Sequence, residues 1–193
     1  MGRRARAGYF EKVSGGGAAI ALDDVEISIL RSLAVQLLEL VGPGEPEQED
    51  ADPSPTFGGE TPWPPYFEGP SKPPTDPALA RLFPDAYEET GDAAEFRRFT
   101  ENDLRGRKRN DALAMIKVLD AGGPVLKLNP EQARQWLGAL NDLRLTIGTR
   151  LEVSEDADSE LYRLPDDDPR KPLVMAYLWL GGLQESLVEA LMR

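Results

Sequence analysis

Apolar and polar residues alternate along this chain in two rhythms, a short one near the start and a helical one over most of the rest. Residues 8–13 and 18–22 flank Ser14, Gly15, Gly16 and Gly17, which reads as a β-hairpin with a flexible turn. Asp23 with Glu26 three residues on has the form of a capping box, and Leu22 and Ile27 sit where a hydrophobic staple belongs. The helix they open runs to about Val41. It carries Val25, Ile29, Leu30, Leu33, Leu37, Leu38 and Val41, an apolar face wide enough to be packed on two sides. Gly42-Pro43-Gly44 ends it.

Helical signals resume at Asp76-Pro77-Ala78-Leu79, and a short helix is expected over 92–99. Thr100 and Asp103 form a second capping-box pattern with Phe99 and Leu104 as its staple, so a separate helix is predicted over 101–121, stopped by Gly122-Gly123. Residues 125–128 read as a short strand, a third partner for the hairpin. Asn129-Pro130-Glu131-Gln132 starts another helix, with proline at its first position and Trp136, Leu137, Leu140, Leu143 and Ile147 in its stripe. The last helix is expected over 172–192, with Leu173, Tyr177, Leu180, Gln184, Leu187 and Leu191 on one face. Gly181-Gly182 within it admits the close approach of another backbone. The sum is a single α+β domain over residues 1–193, mainly helical. Its small antiparallel sheet, the N-terminal hairpin plus one later strand, packs on a helical bundle.

Two stretches break the rhythm. Residues 42–75 are rich in proline, glycine and acid, bury too little apolar surface to offset ordering, and are expected to be a disordered insert. Within it PWPPYF sets Trp63, Tyr66 and Phe67 on a polyproline-prone strip. That strip is either a linker clipped onto its own domain or a docking strip for an aromatic-lined groove of a partner. Residues 154–168 form an acidic loop. Asp156 and Asp158 are spaced as a calcium loop begins, but Leu161 stands where such a loop needs glycine and Asp167 where it needs glutamate, so no metal site is assigned.

Composition narrows the chemistry. Of 193 residues 40% are hydrophobic, and there is neither cysteine nor histidine. Disulfides, thiolate zinc sites and Ser–His or Cys–His catalysis are therefore excluded, and neither a G-x-S-x-G elbow nor a phosphate loop occurs. No catalytic, cofactor-binding or metal-binding residue is assigned, and no cofactor is expected. The net charge of −12 gathers in the two irregular stretches, −6 over residues 42–75 and −5 from residue 154 onward, so the folded parts are nearly neutral. The basic start MGRRARAGYF has no apolar core and no run is long enough for a membrane span. A cytoplasmic protein with no membrane partner is expected.

The informative conflict lies in LNDLRLTIGTRL and in the helix after Thr100. Arg144 falls four residues after Leu140 and three before Ile147, and Asn141 four after Leu137, so both border or enter the core while Asp142 lies further round. Lys108 falls inside the apolar face of Leu104, Ala112, Met115 and Leu119, with Arg105 and Arg109 along its edge. Such cations are costly unless paired or able to reach water. Two explanations fit. Arg105, Lys108, Arg109, Asn141 and Arg144 form either a structural cluster, bonded to Asp103, Asp111, Asp142 or helix-end carbonyls, or a pocket for an anion such as a phosphate. On the structural view, Asn141 and Arg144 tie their helix to the one after Thr100.

The segments DPALARLFPDAY, AAEFRRFTENDLRGRK, WLGALNDLRLTIGTRLEV and LGGLQESLVEAL resemble an actinobacterial domain-of-unknown-function family, DUF twenty-seventeen. The resemblance carries no catalytic residues. It implies genes set near the Clp protease adaptor, a JAMM-type metalloprotease and a sulfur-carrier system, and for some members a label as transcriptional regulators. Three functions follow as expectations. The first is a non-enzymatic regulatory or adaptor protein acting through a protein partner, Clp-related or sulfur-carrier-related by association. The alternatives are a DNA-binding regulator, using MGRRAR and the Arg97–Arg109 cations, and a sensor of an anion or phosphorylated metabolite. Against DNA stand the missing helix-turn-helix spacing and the intrusion of Glu101 among those cations.

Overall fold

The computed structural model describes residues 8–43, 69–154 and 160–192. The N-terminal hairpin consists of β1 (Glu11–Lys12) and β2 (Ala18–Ile20), and β3 (Leu126–Leu128) pairs with β2 on its other side, all antiparallel in the order β1-β2-β3. Gly17 is required by this arrangement, because a Cβ there would run into the Leu128 carbonyl oxygen. Around the sheet stand α1 (Asp24–Val41), α2 (Pro77–Leu82), α3 (Thr90–Ala121), α4 (Pro130–Arg150) and α5 (Lys171–Met192). The fold is α+β and mainly helical, with the hairpin and one later strand making the sheet, as the periodicity predicts.

Local chemistry fixes the helix starts. Asp23 accepts from the Glu26 amide at 2.8 Å while Glu26 accepts from the Asp23 amide at 2.8 Å, and Asn129 and Gln132 make the same reciprocal pair at the head of α4. Each cap satisfies donors the helix cannot, worth about 1 kcal/mol. At the far end of α1 the Gly42 backbone turns to φ 61° and its N–H closes on the Leu38 carbonyl.

The helix predicted to begin after Thr100 does not. Residues 90–121 form one helix of 32 residues, about 48 Å long. Thr100 caps nothing; its hydroxyl donates to the Phe96 carbonyl one turn back at 2.8 Å. A threonine in mid-helix has that bond open to it, which is why a capping pattern alone misleads.

The core is continuous. α4 lies at its centre, against α1, α2, α3 and α5, with Trp136 and Leu140 fully buried. Phe10 of the hairpin meets Trp136 edge-on at 5.9 Å, and its amide donates to the Ser186 hydroxyl of α5 at 3.2 Å. The acidic loop contains a short 3-10 turn, Glu160–Arg163, and lends buried Leu161 and Leu164 to the core. Residues 44–68 of the expected insert, with Trp63, Tyr66 and Phe67, lie outside the described residues, as do Asp156 and Asp158. Within the last part of the expected insert the Gly69 amide donates to the Arg98 carbonyl at 2.7 Å, pinning the returning chain on α3.

Candidate functional site

The cations of α3 turn inward. Arg97, Glu101 and Arg105 are spaced one turn apart and all three are buried. Glu101 pairs with Arg97 through Oε2 and with Arg105 through Oε1, the latter at 2.5 Å. Arg97 also donates to the Phe83 carbonyl at 3.0 Å and to Asp85 at 2.8 Å. Burial works against its charge, but Asp85 and Glu101 together outweigh it and hold the guanidinium above the ordinary arginine value. Arg105 donates to the Val41 carbonyl and lies over the Phe83 ring, 4.5 Å from its centroid. Arg109 reaches the Leu38 carbonyl at 3.4 Å. The last turn of α1 has no basic residue of its own, so α3 supplies the positive charge that its C-terminal carbonyls favour.

Lys108 spans the α3–α4 seam and donates to Asp142 at 2.7 Å. Asp142 is buried and Asn141 exposed, the reverse of the sequence expectation. The reason is that α4 is packed on several sides, so its buried arc extends beyond the stripe that periodicity marks. Asp111 stands nearby with its carboxylate over Gly138, where any Cβ would strike it. Burial and then the like charge of Asp142 push Asp111 up to about 6, with Lys108 and Arg107 pulling it back. Burial likewise raises Asp142, against its bond to Lys108.

Arg144 sits elsewhere. It donates to Gln184 at 2.7 Å and to the Tyr177 hydroxyl at 3.5 Å and lies 5.1 Å from the Tyr177 ring centroid, while Gln184 donates to Asn141 at 3.4 Å. These bonds tie α4 to α5, not to α3, which corrects the expected direction of the tie. The five residues singled out in sequence therefore fall into two groups: Arg105, Lys108 and Arg109 at the α1–α3–α4 junction, and Asn141 with Arg144 at the α4–α5 seam. Among the described residues Arg105 and Lys108 bond within the first group and Arg144 within the second, with no partner in common.

What the structure leaves uncovered is apolar. Between α1 and α5 runs a groove of about 700 Å³, walled by Ile29 and Leu33 on one side and Leu173, Met175, Ala176 and Trp179 on the other. Val25, Ile29, Met175 and Leu178 are 66, 44, 54 and 47% exposed. Leu33 and Leu173 also border a second, partly open concavity of about 390 Å³ between α1 and α4, lined by Leu143, Ile147, Gln36 and Arg150. Contiguous exposed apolar surface on this scale marks an interaction site more often than a solvated face. Sequence reasoning missed it, yet the signal was present. The run LVMAYLWL holds more apolar residues than one helix face can bury, and the apolar arc of α1 was already too wide for one neighbour. Among the described residues no group of three or more metal-ligating side chains converges.

A family model described as a domain of unknown function (DUF2017) matches residues 5–191. The chain belongs to the DUF2017 family. Among curated proteins it is similar to the oxidative stress regulator AosR of Mycobacterium tuberculosis (strain H37Rv) and of Mycobacterium bovis, 34% identical over 134 residues in each case. A relative in Mycobacterium leprae is 35% identical over 133 residues. These alignments take in 62% of this chain and 60% of each relative's length. No solved structure matches the chain.

Proposed function

We propose that this chain is a non-enzymatic regulatory protein that acts by docking a protein on the face formed by α1 and α5. The exposed apolar groove between those helices carries the proposal. The relatives named as oxidative stress regulators support a regulatory role. The residue inventory supports a role without catalysis, since the histidine and cysteine on which most nucleophilic and acid–base sites depend are missing. It also bears on how any redox signal would be read. These 193 residues hold no cysteine, so a thiol–disulfide switch is not open to them. Among the described residues no helix is long and apolar enough to cross a membrane, which suits the cytoplasmic setting we assign.

The DNA-binding alternative has less to stand on. Its helix is continuous, but Arg97 and Arg105 are buried on Glu101 and Arg109 is turned toward α1. The anion-sensing alternative is reduced to Arg144, which donates to the neutral Gln184 and Tyr177. The test is affinity capture of the tagged chain from native lysate treated with nuclease, beside an Ile29→Asp/Met175→Asp variant that keeps its helical circular dichroism. A protein captured by the parent and lost by the variant is expected. Capture that disappears with nuclease, or that the variant retains, overturns the proposal.

A further inference from the structure

The outer face of α5 continues from the groove across Leu178 to a second concavity lined by Arg144, Gly181, Gly182, Glu185, Val188 and Glu189, of whose charged groups Glu189 has an interaction of its own. Two charges there are unmatched. Arg144 is half-buried, its Nε is buried without a hydrogen-bond partner, and among the described residues it meets neither a carboxylate nor a helix-end carbonyl. A guanidinium so placed forgoes part of its hydration without a counter-charge. Glu185, one turn beyond Gly181, is exposed and has no ion pair among the described residues. Between them the helix surface is flat. A Cβ on Gly181 would touch only Arg144, at 3.5 Å, and one on Gly182 would meet nothing within 4 Å.

Resting on the docking role proposed above, we infer that the occupant of this face is a second copy of the chain. The two α5 helices cross antiparallel over Gly181 and Gly182, and Arg144 of each copy pairs with Glu185 of the other. One patch that carries both members of an unmade ion pair is self-complementary, and a two-fold axis makes the pair twice. The crossing point sets the register. Positions equally far before and after it face each other, so Glu185 of one copy lies over Leu178 of the other, beside Tyr177 and the guanidinium stacked on it. Met175 meets Val188, apolar on apolar. The groove between α1 and α5 borders the same contact and widens it with Ile29. A partner of unrelated sequence would have to supply both an acid and a base at this spacing. The chain itself already has them.

Sedimentation velocity on the full chain tests this. Concentration-dependent dimerisation with a Kd of roughly 1–100 μM is expected, weakening in 0.5 M salt. Arg144→Glu and Glu185→Arg should each weaken the dimer at least about tenfold, because each puts two like-charged pairs in the contact. An equimolar mixture of the two variants restores both opposite-charge pairs and should dimerise about as well as the parent. If Arg144→Glu does not fold, Glu185→Arg and Leu178→Asp, at exposed positions, carry the test, and both must weaken the dimer. A parent that stays monomeric across that range, or a mixture no tighter than either variant alone, overturns the inference. Should Leu178→Asp still abolish capture of some other protein from lysate, only the second copy is refuted and the docking role stands. If Leu178→Asp changes nothing in capture either, both fall.

Discussion

Replacing Glu101 with glutamine keeps the side chain's size and removes the one negative charge that two buried guanidiniums share. In the native fold Glu101 is 3% exposed and accepts from both Arg97 and Arg105. Arg97 retains Asp85, but Arg105 is left with the Val41 carbonyl and the Phe83 ring, neither of which bears a full charge. Removing one partner of a buried ion pair costs about 3–5 kcal/mol, because the surviving charge is desolvated without compensation. The glutamine carbonyl can still accept one bond, so a loss of about 3 kcal/mol is expected, a large share of the roughly 5–15 kcal/mol a domain has. At about 2–4 °C per kcal/mol for a chain of this size, Tm should fall by roughly 10 °C. Urea unfolding followed by tryptophan fluorescence, with calorimetry beside it, gives both numbers. The loss should persist in 1 M salt, since a buried pair is screened little. Replacing all three residues with apolar side chains should recover most of it. A loss below about 1 kcal/mol, or one that salt abolishes, would show that the triad is solvated and the reasoning wrong.

Three further outcomes follow from the same contacts. Asp111 holds its proton more tightly folded than unfolded, so stability should fall as pH rises from about 4 to about 6 and stay lowered above that. Asp111→Asn should flatten that slope, leaving only the share of the neighbouring buried Asp142, and be more stable than the parent at pH 7; a parent that gains stability over this window contradicts the assignment. Gly106→Ala, in mid-helix with nothing within 4 Å of the new methyl, should stabilise by about 1 kcal/mol in denaturant titration. Gly17→Ala should destabilise by about 1–3 kcal/mol, since its methyl meets the Leu128 backbone oxygen and cannot be accommodated without parting β2 from β3; an unchanged midpoint would mean that the close approach is not native.

How far the fold could be read in advance depends on how local its causes are. The caps at Asp23 and Asn129, the glycines after α1 and α3, and the hairpin are written within a few residues, and each was legible. Thr100 was misjudged because a hydroxyl followed by an acid three residues later also suits the interior of a helix when the hydroxyl bonds backwards. Arg97, Glu101 and Arg105 have the spacing of ordinary solvated pairs on a helix surface, and nothing local shows that α2 and the end of α1 close over them. The exchange of roles between Asn141 and Asp142 has the same origin, since periodicity locates the centre of a stripe but not the directions of several neighbours around α4. For the docking face, only the surplus of apolar residues was visible. Which of them remain uncovered depends on how α1 and α5 lean on α4.

Hydroxyl-radical footprinting of the chain, as a monomer diluted well below about 1 μM and in the nuclease-treated complex captured from lysate, asks most directly whether the α1–α5 face is the one that works. Met175, Leu178 and Ile29 are exposed on that face, while Phe99 and Leu113 are exposed on α3 and serve as internal references. The docking account requires protection at Met175, Leu178 and Ile29 in the complex, with Phe99 and Leu113 as reactive as before. Protection of Phe99 and Leu113 with Met175 and Leu178 still reactive would move the function to α3 and contradict it.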